Sequence, residues 1–450
     1  MKNISKIIST ILLGFSIILL CFIFYRSQIV HAGALFNYYL KYYVIASLFI
    51  ILSFISFFIP KELKINITVF FISILIAAYF VEGYLFIQNS LNKKQEEQDK
   101  YAIYKNNTGK DYDKRTKFEI FHDLKKENPN IAIRVHPASF VSDKNLNYFP
   151  LSGLSNRKTI QCNENGYYSI YQSDRYGFNN PDKEWDRDKI EFLLLGDSFT
   201  NGSCVNEPDT ISGNLRKLNN NENGILNLGQ GGSGPLIEYA TLKEYFPIKK
   251  VERVLWIHFA DNDLLNLMGE LENKILVNYL NDANFSQNLI LRKEELQKLL
   301  LNKLNQEMFK QERSNAKNVG QFLKLKNLRN ITVEIFFPTP VQHEKFKNIL
   351  KLSNDFTKQK NSKLYFVYIV GYNKYSNSGN DKNVQNYKKI IKILKSLEIP
   401  IIDINKELFE KHEDPLSLFP FRMSGHYNEK GYQLVAQTIF NKIKILEKKL

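Results

Sequence analysis

Residues 190–202 read IEFLLLGDSFTNG: an apolar run, a Gly-Asp-Ser-Phe turn, then Thr-Asn-Gly. A run this short and this apolar fits a strand buried on both faces, which would leave Ser198 at its tip. Serine is also favoured as a helix N-cap, so Ser198 alone does not say whether it reacts or only starts a helix. The neighbouring blocks have to decide.

Working outward from that stretch, apolar runs alternate with amphipathic segments of helix length. Strands are expected at Ile190 to Leu195, Ile225 to Leu228, Arg253 to Phe259, Leu364 to Val370 and Ile399 to Ile402. Helices are expected near Thr210 to Leu218, Pro235 to Tyr245, Val341 to Lys358, Asn383 to Leu397 and Glu429 to Leu446. Strands that are apolar throughout and alternate with helices predict a parallel sheet covered on both faces. In such sheets chemistry collects beyond the carboxyl ends of the strands. The turns there read Gly196-Asp197-Ser198-Phe199, then Gly229-Gln230-Gly231-Gly232-Ser233-Gly234-Pro235, then Ala260-Asp261-Asn262-Asp263. Ser424-Gly425-His426-Tyr427-Asn428 stands just before the last helix.

In this order the four blocks resemble the SGNH hydrolases, the GDSL esterase and lipase family, over residues 160–450. The resemblance implies a three-layer α/β/α, flavodoxin-like domain and a serine hydrolase needing neither metal nor organic cofactor. It makes Ser198 the nucleophile and His426 the base that takes its proton, without which a serine hydroxyl attacks poorly. It builds an oxyanion hole from the backbone N–H groups of Ser198 and Gly232 and the side-chain amide of Asn262. Gly229, Gly231 and Gly234 are close alternatives to Gly232.

One feature departs from the family pattern. An aspartate is expected two or three residues before the histidine, where this chain has Ser424 and Met423. Neither stabilises an imidazolium as a carboxylate does. Asp414 is one candidate replacement; a Ser–His dyad oriented by Ser424 or a carbonyl is another, and decayed activity a third. The glycines also satisfy G-x-G-x-x-G from Gly229 to Gly234, with Glu252 in the place of a ribose-binding acid, but they follow the second strand of the unit rather than the first. A G-x-S-x-G elbow is excluded by Pro235.

Before residue 90 lie three blocks without a charged side chain, Ile7 to Tyr25, Tyr42 to Ile59 and Ile65 to Val81. Each approaches the ~20 residues that span a bilayer as a helix. The alternative for the first is a cleaved signal peptide, with VHAG at 30–33 as the cleavage site, although its apolar stretch exceeds a signal peptide's usual ~7–15 residues. Lys2 and Lys6 before the first block, with Lys61 and Lys64 in the turn between the second and third, put the amino terminus inside and the large domain outside the cytoplasmic membrane, on the periplasmic face. Arg26 and Lys41 flank the opposite loop and weaken that signal. The expected organisation is therefore three transmembrane helices at 1–88, a juxtamembrane stalk at 89–119, and the SGNH-like domain at 120–450 with a helical insertion at about 264–330.

Of three cysteines, Cys21 falls in the first apolar block and leaves Cys162 and Cys204. Outside the cytoplasm these are natural disulfide partners, and Cys204 lies close enough to Ser198 for the bond to brace the catalytic loop. Buried free thiols are the alternative. The formal charge of +15 does not point to nucleic acid, because the lysines are scattered among asparagines without a basic stripe interleaved with aromatics. The expected partner is an acylated substrate, hydrolysed in preference to having its acyl group transferred: O-acetyl groups on an envelope glycan first, a lipid ester second. A non-catalytic envelope-binding module is the reading from a different class.

Overall fold

The computed structural model describes residues 2–30, 33, 36–311, 320–336, 341–376 and 381–448. His31 and Ala32 of the VHAG stretch lie outside them. The chain forms two compact units, Met1–Gln95 with Arg313–Pro340, and Glu96–Glu312 with Val341–Leu450.

In the first unit, helix α1 (Lys2–Phe24) runs on as a π-helical turn, Tyr25–Val30, and is followed by α2 (Phe36–Ile55) and α3 (Lys61–Thr108). All three are long and apolar enough to cross a membrane. Their large apolar side chains point outward, as lipid requires, while polar groups turned inward find partners. Ser16 and Ser53 share a hydrogen bond of 2.8 Å, and the buried Lys64 ammonium donates to the Ser5 carbonyl at 3.1 Å and to Ser9 Oγ at 2.9 Å. Lys61 and Lys64 thus form the first turn of α3 rather than the preceding loop, because Pro60 sits just before its start. The residues expected as a stalk stay helical as far as Thr108.

The second unit holds two sheets. The smaller contains β1 (Ile131–Ile133), β2 (Lys158–Ile160) and β3 (Ile170–Gln172), with β1 parallel and β3 antiparallel to β2. The larger contains β4 (Lys189–Gly196), β5 (Gly224–Asn227), β6 (Lys250–Phe259), β7 (Lys363–Ile369) and β8 (Ile401–Asp403), all parallel, in the order β5-β4-β6-β7-β8. Counted within this sheet the order is 2-1-3-4-5, the doubly wound flavodoxin-like arrangement. Strand β8 begins later than the apolar pattern predicts, because Pro400 has no N–H for the ladder; its carbonyl still accepts from Phe366 at 2.9 Å.

Two helix groups flank this sheet. Ile211–Leu218 packs on Glu429–Lys448, while Pro235–Tyr245 packs on Asp263–Glu270, Lys274–Asn281 and His343–Gln359. Leu193, Leu194, Leu195, Leu255, Trp256 and Phe366 on the central strands are fully buried between them. The long segment after Asn262 divides. Through Gln311 its helices contribute Leu267, Tyr279, Leu296 and Leu300 to the core of the second unit, whereas Arg313–Pro340 belongs to the first.

Candidate active site

Strand β4 is an interior strand of the larger sheet, with β5 and β6 on either side, so the turns after these strands emerge side by side at one rim. β4 ends on Gly196, whose φ of +149° and close approach to the Ile257 carbonyl exclude a side chain: a Cβ there would lie 2.5 Å from that oxygen. The next residue, Asp197, is the N-cap of a single helical turn, Ser198–Asn201, and its Oδ1 accepts the Phe199 N–H at 2.8 Å. Gly202, left-handed at φ 77°, ends the turn. Asp197 therefore performs the capping that the sequence alone would allow Ser198, and the Ser198 hydroxyl is left for other partners.

That hydroxyl lies 2.9 Å from Nε2 of His426 and also within donating distance, 3.2 Å, of Asp197 Oδ2. On the far side of the imidazole stands Glu164. Its two carboxylate oxygens lie 3.1 and 3.2 Å from Nδ1, and Oε2 also accepts the backbone N–H of His426 at 2.6 Å. An imidazole held between a carboxylate and a hydroxyl at these distances can take the hydroxyl proton while the carboxylate fixes its orientation.

Glu164 sits in the connection between β2 and β3 and is tied down on both sides. A disulfide joins Cys162 to Cys204, with Cα atoms 5.0 Å apart. Asn165 donates to the Cys204 carbonyl at 2.9 Å, and Asn163 donates to the Asp113 carbonyl at 2.8 Å. The segment before His426 yields to the carboxylate: a Cβ on Gly425 would lie 2.7 Å from Glu164 Oε2. The ring of His426 packs on Phe199 with centroids 4.8 Å apart. Its successor Tyr427 donates its hydroxyl to the Val370 carbonyl just past β7, and Asn428 Oδ1 accepts the Gly431 N–H at 2.9 Å, starting the last helix.

The electrostatics follow from this packing. Burial pushes the Glu164 carboxyl upward, but the hydrogen bonds to His426 and its charge outweigh that and hold the group below the usual carboxylate range. Asp197 goes the other way. Burial, with Asp263 nearby, raises it to about 7. Arg134, buried behind the Ser198–Asn201 turn, donates from Nη1 to Asn201 Oδ1 and to Ser203 Oγ, both at 2.8 Å, and so braces the C-terminal end of that turn.

Of the expected site residues, Ser198 and His426 meet directly. Gly232, with φ +74°, lies in the loop after β5, where Asn266 donates to its carbonyl at 3.2 Å and Gln230 N–H is tied to the Gly196 carbonyl at 3.1 Å. Asn262 follows β6 as N-cap of Asp263–Glu270, yet its side chain caps nothing, and its buried Oδ1 has no partner among the described residues. Asp414 is not brought to the histidine: its carboxylate pairs with Arg422 on the surface, in the loop ahead of Ser424–Asn428. The acid at the imidazole is Glu164 instead. Cys204 Sγ lies 3.8 Å from His426 Nδ1, but as half of a disulfide it offers no thiolate to a metal.

No family model matches the chain, and no curated protein matches it. Solved structures similar to it include a lipase/acylhydrolase from Enterococcus faecalis, at 12% identity over 57% of this chain and 95% of that one, TM-score 0.34. A member of the lipolytic protein G-D-S-L family from Veillonella parvula has 12% identity over 56% and 97%, TM-score 0.32. A carbohydrate acetylesterase family member from Sinorhizobium meliloti has 9% identity over 57% and 98%, TM-score 0.29. A likeness of this extent leaves the chemistry to be argued from the side chains themselves.

Proposed function

We propose that the chain is a membrane-anchored serine esterase of the SGNH type, acting outside the cytoplasm on O-acyl, chiefly O-acetyl, groups of an envelope glycan. The observation that carries this reading is the unbroken path from the Glu164 carboxylate through His426 to the Ser198 hydroxyl. Ser198 Oγ attacks the ester carbonyl while His426 Nε2 takes its proton. The oxyanion that forms is held by the Ser198 and Gly232 N–H groups and the Asn262 amide. On collapse the C–O bond to the sugar breaks, and His426 returns the proton to the leaving oxygen. Water, deprotonated by His426, then attacks the serine ester; the bond to Ser198 Oγ breaks, His426 returns the proton to that oxygen, and acetate leaves.

The absent aspartate was the reason to consider a decayed, non-catalytic module, and a carboxylate bonded to His426 from another direction removes that reason. The Cys162–Cys204 disulfide favours an oxidising compartment and so supports the outward orientation.

The test uses the full chain in detergent or nanodiscs. A fluorophosphonate should label the wild-type protein and leave Ser198→Ala unlabelled, and p-nitrophenyl acetate should be cleaved far faster than a long-chain ester. Equal labelling of both proteins, or of neither, would sink the esterase reading; preference for the long chain would move the substrate to lipid.

A further inference from the structure

The Arg313–Pro340 excursion of the first unit raises a question that the catalytic reading leaves untouched. Why does α3 carry a fully buried carboxylate, Glu82, just past its apolar stretch? Its oxygens accept the backbone N–H groups of Asn327 at 3.0 Å and Leu328 at 2.9 Å, and the Asn327 side-chain amide at 3.0 Å. Glu82 thus caps the helix Lys326–Phe336 from outside, placing negative charge where a helix N-terminus attracts it. Without this helix the carboxylate would stand bare at the border of a membrane, at substantial cost.

The contact is a full helix face. Tyr79, Glu82, Gly83, Phe86 and Asn89 follow one another at helical spacing along α3. Tyr79 donates to the Leu323 carbonyl at 3.0 Å, and Phe322 packs against the rings of Tyr79 and Phe86 at 5.9 and 6.3 Å. The nearest atom to a Cβ on Gly83 would be Phe322 Cε2 at 4.0 Å, and Asn89 donates to Asn327 at 3.2 Å.

The level of this seat along α3 is fixed by arithmetic. From Lys61 to Glu82 is about 21 residues, or ~31 Å of helix, which is about the thickness of the hydrocarbon layer. Residues 320–336 therefore lie where hydrocarbon meets headgroups, with Tyr79 and Tyr84 as the aromatic residues typical of that border. This segment exposes Leu323 beside Lys324 and, on its helix, Ile331 on one flank and Arg329 with Val333 on the other. Apolar side chains flanked by cations are the surface of a helix lying in a bilayer interface.

We infer that residues 320–336 are a second membrane attachment, a non-spanning element seated on α3 by the Glu82 cap, with Leu323 and Ile331 immersed in lipid on the side reached after α3 crosses. The occupant of the exposed face is the bilayer itself, because that face continues the lipid-facing apolar surface of α3, where Phe80 and Ile87 are also exposed. The inference holds whether or not the second unit is an esterase.

The experiment uses the full chain with Cys21→Ser, leaving the disulfide intact, and attaches an environment-sensitive fluorophore at Leu323→Cys or, separately, Ile331→Cys. Reconstituted into phosphatidylcholine–phosphatidylglycerol vesicles, both labels should emit as in an apolar medium and be quenched by nitroxide lipids, more by a nitroxide near the headgroup than by one at the chain end. Adding Glu82→Ala should weaken the quenching, and Glu82→Gln, which keeps an acceptor, should weaken it less. Water-like, unquenched emission at both positions overturns the inference. So does shielding without lipid quenching accompanied by crosslinking between Ile331→Cys chains, which would put a second copy on that face.

Discussion

Glu164 binds His426 twice, through the ring nitrogen Nδ1 at 3.1 Å and through the backbone N–H at 2.6 Å. The first bond orients the imidazole and the second fixes the loop that carries it, so one carboxylate sets both rotation and position of the base.

Replacing that carboxylate should therefore cost rate without much loss of fold. Glu164→Gln is expected to lower kcat by on the order of 10³–10⁴, the scale seen when a triad acid is neutralised. Asp414→Asn, which removes only a surface ion pair, should leave kcat within about twofold. Steady-state hydrolysis of p-nitrophenyl acetate by the two variants checks both.

Gly425→Ala offers an independent probe of the same contact. Its new methyl would meet Glu164 Oε2, the far end of that side chain, so relief comes by swinging the carboxylate away from the ring and from the His426 N–H. The melting temperature should fall through the loss of those bonds, while kcat falls toward that of Glu164→Gln. A loss of kcat smaller than threefold would show that the acid does not act from this position.

The disulfide should matter to stability and to rate. It closes a sequence separation of 42 residues, and removing it as Cys162→Ser with Cys204→Ser is expected to destabilise the second unit by about 3–4 kcal/mol by the loop-entropy estimate. With the Glu164 turn loosened, kcat should fall more than KM rises. Denaturant titration and kinetics at a temperature where the variant remains folded separate the two effects.

Stability should also vary with pH in two opposite ways. Glu164 is held below its ordinary value, so its contribution is complete above the unfolded-state pKa of about 4.3 and is lost as the pH falls through the lower folded value. Asp197 is raised to about 7, so its protonated form is favoured in the fold, and the associated stability is lost as the pH rises through about 7. Asp197→Asn retains an oxygen for the Phe199 N–H and cannot ionise. Its melting temperature relative to wild type should accordingly be higher at pH 8 than at pH 5, and a difference independent of pH would refute the assignment.

The sheet was legible in the sequence because its strands are apolar on both faces: all five expected strands overlap β4 to β8, and their alternation with helices gave the parallel arrangement, while the flavodoxin-like order came only with the family resemblance. Ser198 and His426 were legible because each sits in a short polar turn beside an element whose periodicity is plain. Glu164 was not. It lies between two three-residue strands, among asparagines and a glycine that read as an ordinary turn, and no local pattern links position 164 to position 426. The one available signal was the cysteine pairing, since a bond from Cys162 to Cys204 brings Glu164 to the loop following Ser198. The division of the long insertion was equally hidden, because a carboxylate late in a membrane helix does not announce which distant helix it caps.

The hydrogen bonds around His426 join residues 228 and 262 positions apart. Pairings so remote form late, after shorter closures have met their entropic cost. Recovery of ester cleavage during refolding should thus lag behind recovery of the circular dichroism signal, making turnover a stricter gauge of a finished molecule than its spectrum.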